Sequence, residues 1–137
     1  MRVIVCGSRK WTDRKAIQDV LADLVVEFAP DYPVIVHGAA RGADRICEDE
    51  AGKAGLLTEA HPAEWDRLGK RAGLIRNGEM AALGADLCVA FWDGASTGTQ
   101  HMMTCAQSVG IPVRIISTTA RSARVPDPDP GAADRVT

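Results

Sequence analysis

Three apolar stretches of this chain each stop at a corner of small residues, and each corner leads into a segment of helical character. Arg2 to Cys6 runs into Gly7-Ser8-Arg9. Val34 to His37 runs into Gly38-Ala39-Ala40-Arg41-Gly42-Ala43-Asp44. Ala85 to Phe91 runs into Trp92-Asp93-Gly94-Ala95-Ser96-Thr97-Gly98-Thr99. Strands that are apolar along their length, not at alternate positions, belong in a sheet covered on both faces, which means a parallel one. Parallel strands need crossovers, and the sequence supplies them. Ala16, Ile17, Val20, Leu21, Leu24, Val25 and Phe28 recur at three- and four-residue steps, giving an amphipathic helix that starts near Thr12 or Asp13 and ends before Pro30. Further helices are expected from the Gly38–Asp44 corner to about Ala54, from Lys70 to Leu83, and from Gln100 to Val109. Leu56 to Ala60 reads as a weaker strand and Ile111 to Ile116 as a fifth.

Together these elements predict an α/β fold, a Rossmann-like three-layer sandwich with a mostly parallel five-stranded sheet and helices on both faces. In such sheets ligands bind beyond the carboxyl ends of the strands. All three corners lie at those ends, so the sequence predicts that they converge on one edge. At 137 residues the chain is one domain. The domain is expected over residues 1–117. The stretch 118–137, with Val125-Pro126-Asp127-Pro128-Asp129-Pro130-Gly131, reads as a disordered tail.

Bulk properties exclude several classes. The net charge of −2 gives no global basic field for duplex nucleic acid. Aromatics make up 4% of the chain, too few for a series of stacking platforms along a single strand. The first apolar run is too short for a signal peptide, and no run reaches the roughly 20 apolar residues of a membrane helix. A cytoplasmic protein is the expectation. Cys6, Cys47, Cys88 and Cys105 form no C-x-x-C pair and have no histidine at ligand spacing, so they read as small core residues; no metal site and no cofactor is expected.

The corners themselves suit phosphate. Small residues allow close approach to the backbone, and the start of a helix presents unpaired N–H groups at the positive end of its dipole. Ser96, Thr97 and Thr99 add hydroxyls, with Gly94 and Gly98 between them. Gly7, Ser8 and Arg9 combine a backbone nest with a guanidinium suited to phosphate. Gly38, Arg41, Gly42 and Asp44 repeat that kit with a carboxylate, which either binds a ribose hydroxyl, pairs with Arg41, or favours the dipole of its helix. Neither G-x-G-x-x-G nor the Walker pattern is present. The segment Gly69 to Met80 gathers Lys70, Arg71 and Arg76, with Arg76 and Glu79 three apart on one face. Trp65 either stacks on a base or anchors packing.

These residues resemble a known family. Gly7-Ser8-Arg9 with Trp11 and Asp13, His37-Gly38, Arg41-Gly42-Ala43-Asp44, Pro62-Ala63-Glu64-Trp65, Gly69-Lys70-Arg71-Ala72-Gly73, Arg76-Asn77-Gly78-Glu79-Met80 and Thr97-Gly98-Thr99 resemble, in order from Arg2 to Ile116, the YspA-related branch of the SLOG superfamily. The resemblance implies a Rossmann-like nucleotide-binding fold. Relatives include the cytokinin-activating phosphoribohydrolases, sensors of nucleotide-derived signals, and DprA-type single-strand binders. In the phosphoribohydrolases an arginine on a helix and a glutamate after a Pro-Gly-Gly-x-Gly-Thr loop carry N-glycosidic cleavage. Arg76 matches that arginine and Thr97-Gly98-Thr99 the end of that loop. Met102 stands at the glutamate's position, and Asp93-Gly94-Ala95 replaces Pro-Gly-Gly. A methionine can neither stabilise an oxocarbenium-like centre nor activate water, so either Glu79 substitutes or the chain binds without cleaving.

The leading expectation is therefore a binder of a nucleoside monophosphate or an ADP-ribose-like ligand. Arg9, Arg41, Lys70 and Arg76 would meet phosphate, Ser96 to Thr99 would cradle it, Asp44 and Glu79 would meet sugar hydroxyls, and Asn77 would line the site. The alternative is an N-glycosidic hydrolase of nucleoside monophosphates with Arg76 and Glu79 as its catalytic pair. A single-strand nucleic-acid binder ranks third. A homodimer is implied by resemblance to the phosphoribohydrolases.

Overall fold

The computed structural model describes residues 1–117, and the tail expected from 118 lies outside the described residues. Five strands, β1 (Arg2–Gly7), β2 (Val34–His37), β3 (Thr58–Ala60), β4 (Leu87–Trp92) and β5 (Val113–Ser117), form one sheet in the order β3-β2-β1-β4-β5. Every pairing is parallel, so the expected mostly parallel sheet is parallel throughout. The chain winds outward from β1 to one side, returns, and winds outward to the other. The change of direction falls between β1 and β4, where a crevice opens at the strand ends.

Among the described residues the helices α1 (Arg14–Phe28), α2 (Ala43–Lys53), α4 (Ala72–Leu83) and α5 (Thr97–Ser108) pack on the sheet, and the short α3 (Trp65–Leu68) lies against α4. Alternation along the central strands splits the core in two. Val3, Val5, Val89 and Phe91 face one way and pack with Ile17, Leu21 and Leu24 of α1 and Cys47 and Ala51 of α2. Ile4, Cys6, Cys88 and Ala90 face the other and pack with Met80 and Ala81 of α4 and Met102, Met103 and Ala106 of α5. α1 begins where Asp13 caps it, its Oδ1 accepting from the Ala16 N–H at 3.0 Å.

Two expected helices differ from the observed ones. The helix predicted from Lys70 to Leu83 opens as a 3-10 turn over Gly69–Arg71 and becomes α4 only at Ala72, and the stretch before it carries the short helix α3. Gly69, at φ +65°, breaks α3 from α4. α5 starts at Thr97, not at Gln100, because Ser96 caps it: its Oγ accepts from the Thr99 N–H and exchanges a hydrogen bond with the Thr99 hydroxyl at 2.9 Å. Thr97, Gly98 and Thr99 are thus the first turn of a helix and not a loop before one.

Candidate functional site

A cavity of about 580 Å³ lies at the carboxyl ends of β1 and β4, lined by all three corners and by α3, α4 and the 3-10 turn. Its geometry follows from how each corner satisfies its own backbone.

The first corner is fixed by Ser8. Its carbonyl accepts from Trp11 N–H at 3.1 Å and from Ala43 N–H at 3.2 Å, and its hydroxyl donates to Asp93 Oδ2 at 2.9 Å. Ser8 therefore ties the β1 corner to the start of α2 and to the β4 corner. The approach to α2 requires glycine at 42. Its φ is +76°, and a Cβ there would stand 2.4 Å from the Ser8 carbonyl oxygen.

The second corner turns most of its backbone N–H groups inward, onto the fold itself. Asp44, 5% exposed, accepts both Gly38 N–H and Ala40 N–H on Oδ2, each at 3.1 Å. Ala39 N–H goes to His37 Nδ1 at 3.0 Å, and Ser8 occupies the first N–H of α2. Asp44 thus holds the loop together and does not pair with Arg41, which is exposed and lies off the cavity. Among the described residues, Asp44 Oδ1 is the buried side-chain oxygen left without a partner. Burial raises the Asp44 carboxyl above its ordinary range, against the N–H groups and the nearby Arg76 charge that favour the anion.

The third corner is the open one. Asp93 Oδ1 accepts from Ala95 and Ser96 N–H, both at 2.9 Å, and these bonds together with the Ser8 hydroxyl hold its carboxyl below the usual range. Ser96 takes the Thr99 N–H, and Gln100 N–H reaches the Ser96 carbonyl. Among the described residues the N–H groups of Thr97 and Gly98, at the positive end of α5, have no hydrogen-bond partner.

Arg76 joins the corners from the α4 side. Nη1 donates to the Gly38 carbonyl and to the His61 carbonyl at 3.2 Å, and Nε to Asn77 Oδ1 at 2.9 Å. A Cβ at Gly38 would lie 2.3 Å from Nη1, so the bare glycine makes the seat for the guanidinium. Burial lowers the pKa of Arg76 from its ordinary value. Asn77 in turn reaches His101 Nδ1 at 3.2 Å and the Gly98 carbonyl at 3.4 Å, bridging α4 to α5.

Of the residues singled out from sequence, Gly7, Ser8, Arg9, Gly38 and Asp44 line the cavity from the first two corners. Lys70, Arg76 and Asn77 line it from the α4 side, and Ser96, Thr97, Gly98 and Thr99 from the third corner. Arg41, Gly42, Gly94 and Glu79 do not. Glu79 is exposed on α4 and, unlike Arg76, does not reach the site. Gly42 acts behind the wall, and Gly94, at φ +85°, turns the third corner. Lys10 and Asp93 line the cavity without having been singled out; an arginine or lysine two or three residues past a strand, and an Asp followed by Gly at a corner, were the available signals. Met102 and Met80 supply buried apolar lining. Cys6 also lines it, with its thiol pushed up by its contact with Cys88 and by burial, which makes it a poor nucleophile. The described residues contain no group of three or more His, Cys, Asp or Glu placed to hold a metal, and no helix among them is long and apolar enough to cross a membrane.

Residues 1–68 match the model of the family described as the YspA, cpYpsA-related SLOG family. The Gene 61 protein of Mycobacterium phage D29 is 46% identical over 117 residues, covering 82% of this chain and 93% of that protein. Among solved structures, the fold is similar to DNA processing protein A from Helicobacter pylori, described for its single-stranded DNA binding mode, at a TM-score of 0.58 and 20% identity. That match covers 84% of this chain and spans 64% of the length of the other.

Proposed function

The chain belongs to the YspA, cpYpsA-related SLOG family, and from that premise we propose that its cavity binds a nucleotide or nucleotide-derived ligand by its phosphate. The observation that carries this reading is the start of α5. Thr97 and Gly98 have open N–H groups there, and Arg9, Lys10, Lys70 and Arg76 line the same cavity. Four cations lining the cavity onto which that helix opens favour an anion, and the cavity size suits a small molecule.

The reading is of binding without N-glycosidic cleavage. Met102 stands where the phosphoribohydrolases carry their glutamate, it lines the cavity, and Glu79 lies outside it. The lining carboxylates, Asp44 and Asp93, are each engaged in holding a corner.

Calorimetry with AMP and ADP-ribose tests the proposal. Both are expected to bind, and Lys70→Ala, which removes an exposed cation, is expected to weaken both without loss of fold. No binding by either would overturn the reading, and release of free base from AMP would replace it with the hydrolase.

A single strand is the second reading. The structural neighbour DNA processing protein A binds one, and the mouth of the cavity carries exposed Arg9, Lys10, Lys70 and Trp65. Low overall charge and aromatic content say little against such a local cluster. A gel shift that weakens steeply with salt, with no affinity for AMP, would favour it.

A further inference from the structure

Trp65 opens α3 at the mouth of the cavity, and the residue is 47% exposed. A tryptophan used as a packing anchor is mostly covered. Here one edge of the ring abuts the first turn of α4, where a Cβ at Gly73 would meet ring carbon Cη2 at 3.2 Å. The small residue lets the ring lie close against the helix. Over the ring stands the Arg9 guanidinium, its carbon 5.5 Å from the centroid. Arg9 is exposed and forms no ion pair with a carboxylate among the described residues. An aromatic face at the cavity mouth, set against α4, is thus covered by a displaceable cation, and such contacts are weak at exposed sites.

We propose that Trp65 is the base shelf of this site: the nucleobase of a bound mononucleotide lies on the indole in place of Arg9, and the freed guanidinium turns to the phosphate. The proposal rests on the phosphate reading above and adds the ligand's aromatic part to it. Stacking accepts any base because every base has a π-face. The shelf therefore separates nucleotides from plain sugar phosphates and discriminates little among bases. A free nucleotide and a strand carry the same base-and-phosphate chemistry. Among the described residues Trp65 is the one aromatic side chain lining the cavity, so the site has a shelf for a single base, and this assigns the free nucleotide.

The test is calorimetry on the full chain with ribose 5-phosphate, AMP and a short single-stranded oligonucleotide, using wild type, Trp65→Leu and Trp65→Phe. In wild type AMP is expected to bind about tenfold or more tighter than ribose 5-phosphate. Trp65→Leu is expected to erase that ratio while leaving ribose 5-phosphate unchanged, and Trp65→Phe to keep most of it. A purely structural tryptophan would weaken both ligands together. Phosphate binding with a ratio indifferent to Trp65 overturns the shelf alone. A Trp65-dependent gain confined to the oligonucleotide overturns its assignment to a free nucleotide. No binding by any of the three overturns the phosphate reading and the shelf with it.

Discussion

Asp44 and Arg76 brace the wall of the site, and each can be tested alone. Asp44 is a buried carboxyl whose pKa is raised in the folded protein from an ordinary 3.8. The native state thus holds the proton more tightly than the unfolded chain does, so this group's stabilising contribution is full below pH 3.8 and is lost as pH rises through the raised value. Asp44→Asn keeps an oxygen for the Gly38 and Ala40 N–H groups and cannot ionise. Urea unfolding of the variant is expected to lack this group's share of the downward slope with pH. An unchanged slope would remove Asp44 from the account of acid response. At Gly38, a methyl group would push the Arg76 guanidinium from its two carbonyl partners. Gly38→Ala is expected to cost about 1–3 kcal/mol of stability, the scale of hydrogen bonds to a charged group. It should also weaken AMP by moving a cation off the cavity. Chemical denaturation and calorimetry read the two effects separately.

At the scale of elements, the decisive part is the first turn of α5. Ser96 caps it, and the cap aligns the N–H groups of Thr97 and Gly98. Ser96→Ala is expected to cost about 1 kcal/mol of stability and to weaken phosphate-bearing ligands by more than it weakens a neutral nucleoside. Equal loss for both would show that the turn does not face the phosphate. This turn was partly legible in the sequence. Ser96 followed by Thr97-Gly98-Thr99 was readable as a phosphate corner, but residues of low helix propensity hid that the helix had already begun. The short helix before Gly69 was hidden for a related reason. A four-residue helix such as α3 is too short to show periodicity, and the turn after it depends on one positive φ. The strands were clear because burial on both faces leaves continuous apolar runs. The arginines were not: Arg9 and Arg41 follow similar small-residue corners, yet the backbone at Gly42 and the self-bonded Asp44 loop leave only Arg9 on the cavity. Glu79 shared a helix with Arg76, and spacing alone could not say which side of that face meets the sheet edge.

For the molecule as a whole, one crevice at the switch between β1 and β4 gathers separate segments into one cationic cavity. A ligand that bridges those segments binds the folded state alone and must raise its stability. At a hundredfold excess over its Kd the gain is about 2.7 kcal/mol. AMP is therefore expected to raise Tm by several degrees, and adenosine, without phosphate, by much less. Equal shifts would locate the affinity in the base and not in the helix start. The most direct measurement is a crystal structure of the chain with AMP. The account predicts phosphate oxygens about 3 Å from the Thr97 and Gly98 nitrogens, with cations of the first corner and the α4 side around them. A phosphate held anywhere else on the molecule, with the start of α5 empty, would contradict it.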